Sequence, residues 1–580
     1  MSESRLAARV LWGTLVGLLV LHVVAGLLPG MWLWGANLPR FLPLPLALLL
    51  WGMWGAVLLV APALHGGPEV KAADAPSGMV RPLLIAIGIA ALCWSLPDRT
   101  QFTGDFYLRE GAVATANASP RELFPQALPL DVWIHYDVPR WLIAKLGLTA
   151  NFVGRLAGAK EAALWGIFAW VFARGLALPA SAMFGVLGAV LFSPVLGLFT
   201  GYSKAFTELS LLVLAAGAAA MHVARNGRGL VTLAVVTTLA LLIHRSGLTL
   251  LPVWLVGCVM WARHWRRPGG QRLLGFWIAG LLPIATLALT LPTMIKAMQV
   301  IDATHLMPAE VRRAGFLAAT FAPARMRDLG NLVLLVAPLA PLIPVLAVGM
   351  GRPVVGKREG VLLGALLLPQ LALLLLVHPL QGPFRDWDVF APAGVSLTLF
   401  AAWLAGEALR APKTAGVALA LACAAAAPTI GWLTLLSQPA RGVARVEARL
   451  VGPPVVDANE AAVGWNYVAF VNFRDQRWDQ AANAWQHAVA YAPNPRYFTQ
   501  WGMAETMRGD HHRAQRLYLR SVELSPDLLL GWLGVAASSS WLGDTAQCRI
   551  AASNIRRLDP GNPQLGQIDE YLGRSRARKP

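Results

Sequence analysis

From Arg9 to Ser437 the chain alternates long apolar runs with short polar connectors. An α-helix needs roughly 17–22 apolar residues to cross the hydrocarbon core of a bilayer. About thirteen runs approach that length, near 10–28, 42–61, 81–97, 156–175, 178–199, 206–223, 229–244, 247–263, 273–292, 331–349, 360–377, 390–408 and 415–436. The pattern predicts an all-α, polytopic transmembrane helical bundle. The start, MSESRLAARVLW, is basic and leads into an apolar run without a small-residue cleavage site, so it reads as an uncleaved first span with its N-terminus in the cytoplasm.

Composition sharpens the class. The 580 residues are 56% hydrophobic and only 14% charged, with mean hydropathy +0.54. Soluble domains carry about a quarter charged residues. The formal net charge of +18 suggests nucleic acid at first. The basic residues sit at the ends of apolar runs instead, so no nucleic-acid partner is expected. With the N-terminus inside, Lys71 and Arg81, Arg174, Arg225 and Arg228, Arg263 to Arg272, Arg352 to Arg358, and Arg410 and Lys413 all fall on the inner side. The four cysteines (Cys93, Cys258, Cys423, Cys548) show no CxxC spacing and form neither a disulfide framework nor a metal site.

That topology puts the mixed-charge clusters on the outer side. They are the loop from Gln101 to Tyr136, the turn Gly201 to Glu208, the turn His244 to Gly247, the loop Lys296 to Asn331, and the stretch His378 to Asp388. Clusters far apart in sequence but on one face are what a shared extracytoplasmic site requires. The first loop carries Asp105, Arg109, Glu110, Asp131 and His135, with Asp137 just beyond. Its second half, Pro120 to Leu148, has apolar residues at helical spacing and two tryptophans, Trp133 and Trp141. It reads as short amphipathic helices in the membrane interface, interrupted by prolines. The candidate for chemistry is then the turn Thr103 to Glu110, above all Asp105.

Ionisable groups at membrane depth are costly and point to function. Lys204 and Glu208 are four residues apart, share a helix face, and have the spacing to pair. His244 and Arg245 end a span on the side where arginine is disfavoured, which suits an anion such as a lipid phosphate. Arg385, Asp386 and Asp388 surround Trp387 at the mouth of another span. The two carboxylates have the spacing to orient an arginine, a sugar or a divalent cation. No Walker loop, HExxH or GxSxG occurs, and no cofactor is otherwise implied.

After a linker at 441–462 the chain becomes less apolar and repeats itself. Pro493, Pro526 and Pro560 lie 33 and 34 residues apart. In the same register fall Trp465, Phe498 and Trp532, then Ala481, Ala514 and Cys548, then Trp485 and Tyr518, with Ala469, Gly502 and Ala536 at a close-packing position. This resembles about three tetratricopeptide repeats over 463–580, an α-solenoid in which each helix pair buries its face on the next. Such repeats commonly bind peptides or partner proteins, and here two readings stay open: a bound partner, or a lid resting on the membrane domain.

Taken together, the many spans, the early outer loop with an acidic residue, its interfacial helices and an extracytoplasmic C-terminal domain resemble the GT-C superfamily of membrane glycosyltransferases over 81–440. The two helices of 1–80 precede the part that matches. The resemblance implies a polyprenyl-phosphate-linked sugar as substrate, with membrane lipid around it. It also implies Asp105 in TGDFYLRE as catalytic base, and phosphate contacts from Arg245 with Lys204 or Arg385. Glu208, His244, Asp386 and Asp388 complete the expected substrate-binding set. The expected location is the inner (cytoplasmic) membrane. Two other readings stay open. One is an O-antigen ligase or polymerase-like enzyme relying on His305, Arg312 and Arg313. The other is a non-enzymatic membrane scaffold or transport component whose repeats recruit an envelope protein.

Overall fold

The computed structural model describes residues 3–64, 78–104, 111, 113, 124–202, 204–264, 270–303 and 309–577. Among these the protein is helical, without a strand. The chain divides into two units, Met1–Gly442 and Val443–Pro580.

The first unit is the membrane bundle. Its principal helices are α1 (Glu3–Leu27), α2 (Leu44–Val60), α3 (Val80–Ser95), α4 (Val138–Leu146), α5 (Ala150–Gly175), α6 (Ala180–Leu191), α7 (Phe206–Asn226), α8 (Leu230–Ile243), α9 (Leu251–His264), α10 (Gly270–Ala297), α11 (Pro323–Val336), α12 (Leu342–Met350), α13 (Arg358–Leu376), α14 (Ala391–Ala408) and α15 (Ala415–Ser437). Among the described residues eight helical stretches have the length and composition to cross a membrane, and α2, α3, α6 and α8 are shorter apolar helices. Two expected spans are broken by proline, which removes a backbone donor and clashes with the preceding turn. The run 178–199 is α6 followed by a 3-10 turn, Pro194–Phe199. The run 331–349 is the end of α11 and then α12, divided around Pro338 and Pro341.

Two helices occupy the centre. The apolar stretches containing α7 and α14 are 89% and 94% buried, against 28% for α1 and 22% for α10, whose other faces are left to lipid. α7 packs on α5, α8, α13 and α14. It approaches α14 closely because Gly217 has no side chain: a Cβ there would lie 2.5 Å from Leu399 Cδ1.

The bundle has two chemically distinct ends. At the C-terminal ends of α5, α7 and α14, Arg225 pairs with Glu359 (2.9 Å), while Lys357 (2.7 Å) and Arg410 (2.9 Å) converge on Glu407. Arg410 also donates to the carbonyl of Leu176 (3.1 Å), just past the end of α5, where a cation complements the helix dipole. Three of the basic connectors grouped on one side by the sequence, those of Arg225, Lys357 and Arg410, therefore meet at one end. The opposite end holds the N-termini of α7 and α14.

Ahead of α4, Pro129–Val132 is α-helical and Trp133–Asp137 a π turn, so 129–146 is continuous helix rather than separate pieces. Pro139 has no N–H to donate backward, and the wider π turn before it absorbs the register change. Trp133 and Trp141, two turns apart, are both exposed, whereas Leu128, Val132 and Tyr136 are buried.

The second unit begins within the helix Pro439–Val451, which runs through the first half of the segment read as a linker. Three helix pairs follow: Ala458–Arg474 with Trp478–Tyr491, Pro495–Met507 with His511–Leu524, and Leu529–Leu542 with Thr545–Leu558. Gln564–Ala577 closes the array. The repeat columns have physical meaning. Ala481, Ala514 and Cys548 are fully buried, and Ala469, Gly502 and Ala536 are buried where paired helices touch. Tyr518 fills the gap left by Gly502 and Gly534.

Candidate functional site

The site is built from the residue stretch that leaves α3. Asp98 N donates to the carbonyl of Thr200 (3.2 Å), and the N–H groups of Arg99 and Thr100 both donate to the carbonyl of Leu436 (3.0 Å). Asp98 Oδ1 accepts from Gln101 N (2.8 Å). Burial pushes the Asp98 carboxyl up to about 7, against the lowering effect of the Gln101 and Thr100 N–H groups.

The chain is then clamped by the segment before α14. Trp387 Nε1 donates to Thr103 Oγ1 (3.0 Å). Gly104 N donates to the carbonyl of Arg385 (3.4 Å), and Arg385 Nη2 donates to the carbonyl of Gly104 (3.3 Å). The Arg385 guanidinium also lies 5.4 Å from the Phe102 ring centre. Gly104 has φ +46°, and a Cβ on it would stand 2.9 Å from Tyr202 Oη and 3.3 Å from Asp388 Oδ1. Only glycine tolerates both the conformation and the contact. Asp105, its neighbour in the chain, lies outside the described residues, as do Arg109, Glu110 and His305.

Asp388 is the hub. It is fully buried in the 3-10 turn Trp387–Phe390 that opens into α14. Its Oδ2 accepts from Tyr202 Oη (2.7 Å) and Lys204 Nζ (3.1 Å), while Oδ1 has no hydrogen-bond partner. The Lys204 ammonium lies 5.3 Å from the Phe206 ring, and that ring in turn contacts His244 at 4.7 Å. His244 Nδ1 accepts from Ser246 N (3.1 Å), which leaves Nε2 beside Arg245 Nη1 (3.1 Å). Lys204, His244, Arg245, Arg385 and Asp388 are thus linked through shared contacts at the N-termini of the two central helices.

Two expectations need correction. Lys204 does not pair with Glu208. Asp388 holds Lys204, and Glu208 belongs to a second, buried network. There His135 Nδ1 donates to Asp131 Oδ1 (2.7 Å) and His135 Nε2 stands 3.1 Å from Glu208 Oε2. Glu161 lies against Glu208 and is contacted by Lys160 (3.4 Å). All three carboxylates and the imidazole are more than nine-tenths buried. Burial alone would lower His135, but Glu208 and Asp131 overcome it and hold the imidazolium up to about 10. Glu208 is therefore a buried partner of the helix 129–146. Second, Asp386 and Asp388 do not act as a pair: Asp386 Oδ2 accepts from Gln381 N (3.3 Å) within its own loop. Among the described residues no cluster of three or more metal-ligating side chains forms.

The remaining polar loop contributes at its C-terminal part. Thr320 Oγ1 meets His378 Nε2 (3.2 Å), and Arg325 donates to the carbonyl of Val377 (2.6 Å). Arg312 and Arg313 are exposed on the short helix Ala309–Ala314. The turn between α1 and α2 also reaches this end: Trp34 Nε1 donates to Asp328 Oδ1 (3.2 Å), and the Trp34 ring meets Phe384 edge-on at 5.3 Å. Sequence reasoning passed over Tyr202 and gave Asp131 and His135 no shared role. The four-residue spacing of that acid and histidine on a helix was the available signal.

No family model matches the chain, and no curated protein matches it. Solved structures do. ArnT from Cupriavidus metallidurans in the apo state is 14% identical over 80% of this chain and 79% of that one, with a TM-score of 0.35. The same protein bound to undecaprenyl phosphate is 15% identical over 81% and 80%, with a TM-score of 0.34. The TPR domain of Arabidopsis OM64 is 14% identical over 21% of this chain and 98% of that one, with a TM-score of 0.19. At these scores the functional reading rests on the site's own geometry.

Proposed function

We propose that this chain is an integral membrane glycosyltransferase of GT-C-like type that takes its sugar from a polyprenyl phosphate. The observation that supports this is the setting of Gly104, held by Arg385 and packed on Asp388 and Tyr202. Asp105 follows it by one peptide unit, a Cα–Cα step of about 3.8 Å. Glycosyl transfer needs two partners, a base for the acceptor and cations for the leaving group, and the chain carries an aspartate next to a turn held among cations.

In the proposed step the bond from sugar C1 to the phosphate oxygen breaks, and its electron pair stays on the phosphate. The acceptor hydroxyl oxygen forms the new bond to C1, and its proton passes to the Asp105 carboxylate. Lys204, Arg245 and Arg385 receive the departing phosphate. The N-termini of α7 and α14 add their positive dipole ends. The polyprenyl chain stays in lipid beside the bundle. With the Arg225–Glu407 end inside, the site faces outward from the inner membrane. The repeats supply a stacked helical surface for a protein partner.

The test is sugar transfer from a radiolabelled polyprenyl-phosphate sugar by the purified full chain. Asp105→Asn is expected to lower turnover by about 10²–10⁴-fold, the usual weight of a general base. Wild-type turnover in that variant would remove Asp105 as the base. Deletion of 453–580 should release a co-purifying envelope protein without changing transfer to a simple acceptor.

A further inference from the structure

We infer that His135 is a positioning residue: by holding Glu208, it keeps that carboxylate from capturing Lys204 and leaves the Lys204 ammonium on Asp388. The inference rests on the reading of Lys204 as a phosphate-binding cation.

Lys204 and Glu208 bracket the first turn of α7, four residues apart, the spacing at which oppositely charged side chains pair on a helix. The pair is not made. The Lys204 ammonium lies 3.1 Å from Asp388, and Glu208 lies 3.1 Å from His135. Lys204 is thus held by the distant carboxylate and not by the one four residues along, which His135 occupies. Glu208 is buried, and neither of its oxygens has a well-aligned hydrogen bond. The charge contact with His135 is its main compensation. A buried carboxylate stripped of its cation is strongly unfavourable. Glu161 beside it can only add like charge or share a proton. Without the imidazole, two cations compete for Glu208: Lys160, whose charge already acts on it, and Lys204, just ahead of the same helix. Asp388 would keep Tyr202 as a donor, so it loses less by releasing the lysine. Asp131 completes the device by fixing the ring through Nδ1 at 2.7 Å, which aims Nε2 at Glu208. Asp131 and His135 belong to the interfacial helix 129–146, so the docking of that helix and the aim of Lys204 are coupled.

The test uses the full chain in detergent with two readouts. The first is modification of Lys204 by an amine-reactive ester, followed by mass spectrometry. Modification should fall several-fold in His135→Gln, as the lysine turns to the buried Glu208, and recover in His135→Gln/Glu208→Gln. The second is binding of radiolabelled undecaprenyl phosphate. It should weaken about tenfold in His135→Gln, about 1.4 kcal/mol, and return to within about threefold of wild type in the double variant. A purely architectural role for His135 predicts no recovery, because the second substitution dismantles the network further. Unchanged Lys204 modification in His135→Gln, or a double variant no better than the single one, overturns the positioning role. Modification that follows the expected pattern while undecaprenyl phosphate binding does not change keeps the positioning role and overturns the phosphate reading of Lys204. If His135→Gln does not fold, Asp131→Asn loosens the ring without removing it. It should shift both readouts in the same direction by a smaller factor, again reversed by Glu208→Gln.

Discussion

Lys204 and Asp388 lie 184 residues apart in sequence and meet at 3.1 Å at the N-terminal ends of the two most buried helices. Asp388 is fully buried and Lys204 is 14% exposed, so the carboxylate is fixed and the ammonium is the part a ligand can reach. Tyr202 holds the same carboxylate oxygen from the other side.

Asp388→Asn should therefore destabilise the bundle and weaken polyprenyl phosphate binding together. Breaking one side of a buried pair costs about 3–5 kcal/mol, less here because Lys204 retains some water. Tyr202→Phe removes only the hydrogen bond to a charged acceptor and should cost about 1.5–3 kcal/mol, with Lys204 still in place. Thermal unfolding in detergent measures both. A Tyr202→Phe loss as large as that of Asp388→Asn would mean the phenol, not the ammonium, is the principal partner.

Gly104→Ala should lower turnover while leaving most of the fold intact. The positive φ costs about 1–2 kcal/mol for a residue with a Cβ. The methyl group would also press on Tyr202 Oη at 2.9 Å. Combining it with Tyr202→Phe removes the closest contact but not the backbone strain, so partial recovery is expected. Sugar transfer measured for the two single variants and the double one separates these terms. Full activity in Gly104→Ala would show that the turn can move without consequence.

Much of the bundle could be read from the chain because its signals are local. Apolar length marked α5, α7, α9, α10, α13, α14 and α15, and arginine placement gathered Arg225, Lys357 and Arg410 at one end. The proline columns likewise located the three helix pairs. What could not be read were partner choices made across the fold. Local spacing favoured Lys204 with Glu208, yet Asp388 and His135 each offered a buried partner from a distant segment, and tertiary contact outweighed the weak pairing along a helix. The same holds for Asp386 and Asp388. They are two residues apart on a turn that aims one at its own loop and the other into the core.

His135 gives a pH signature. Its imidazolium is faced by Asp131, Glu208, Glu161 and, at the edge, Lys160. Its folded-state value is raised from the ordinary 6.5 to about 10. The stabilisation is fully present below about 6.5 and is lost as the pH rises through about 10. The gap in unfolding temperature between wild type and His135→Gln should be widest near neutrality and close toward pH 10. A gap that stays constant over that range would show that the ring contributes packing and not charge.

Asp98 also loses stability as the pH rises, but for the opposite reason: its folded state favours the neutral form. Burial lifts its carboxyl from the ordinary 3.8 to about 7. The associated stabilisation is present below about 3.8 and is lost as the pH rises through about 7. At pH 8 the protein therefore carries a buried carboxylate supported chiefly by the N–H of Gln101. Asp98→Asn keeps an oxygen to accept from Gln101 and removes the charge. It should raise the unfolding temperature at pH 8 by about 1 °C for each kcal/mol recovered, and leave it nearly unchanged at pH 4. Because Asp98 N also anchors the chain to Thr200, a few residues before Lys204, sugar transfer measured alongside shows whether the charge does more than burden the fold. A stabilised but inactive Asp98→Asn would assign the carboxylate to the reaction. A stabilised and active variant would confine its effect to stability.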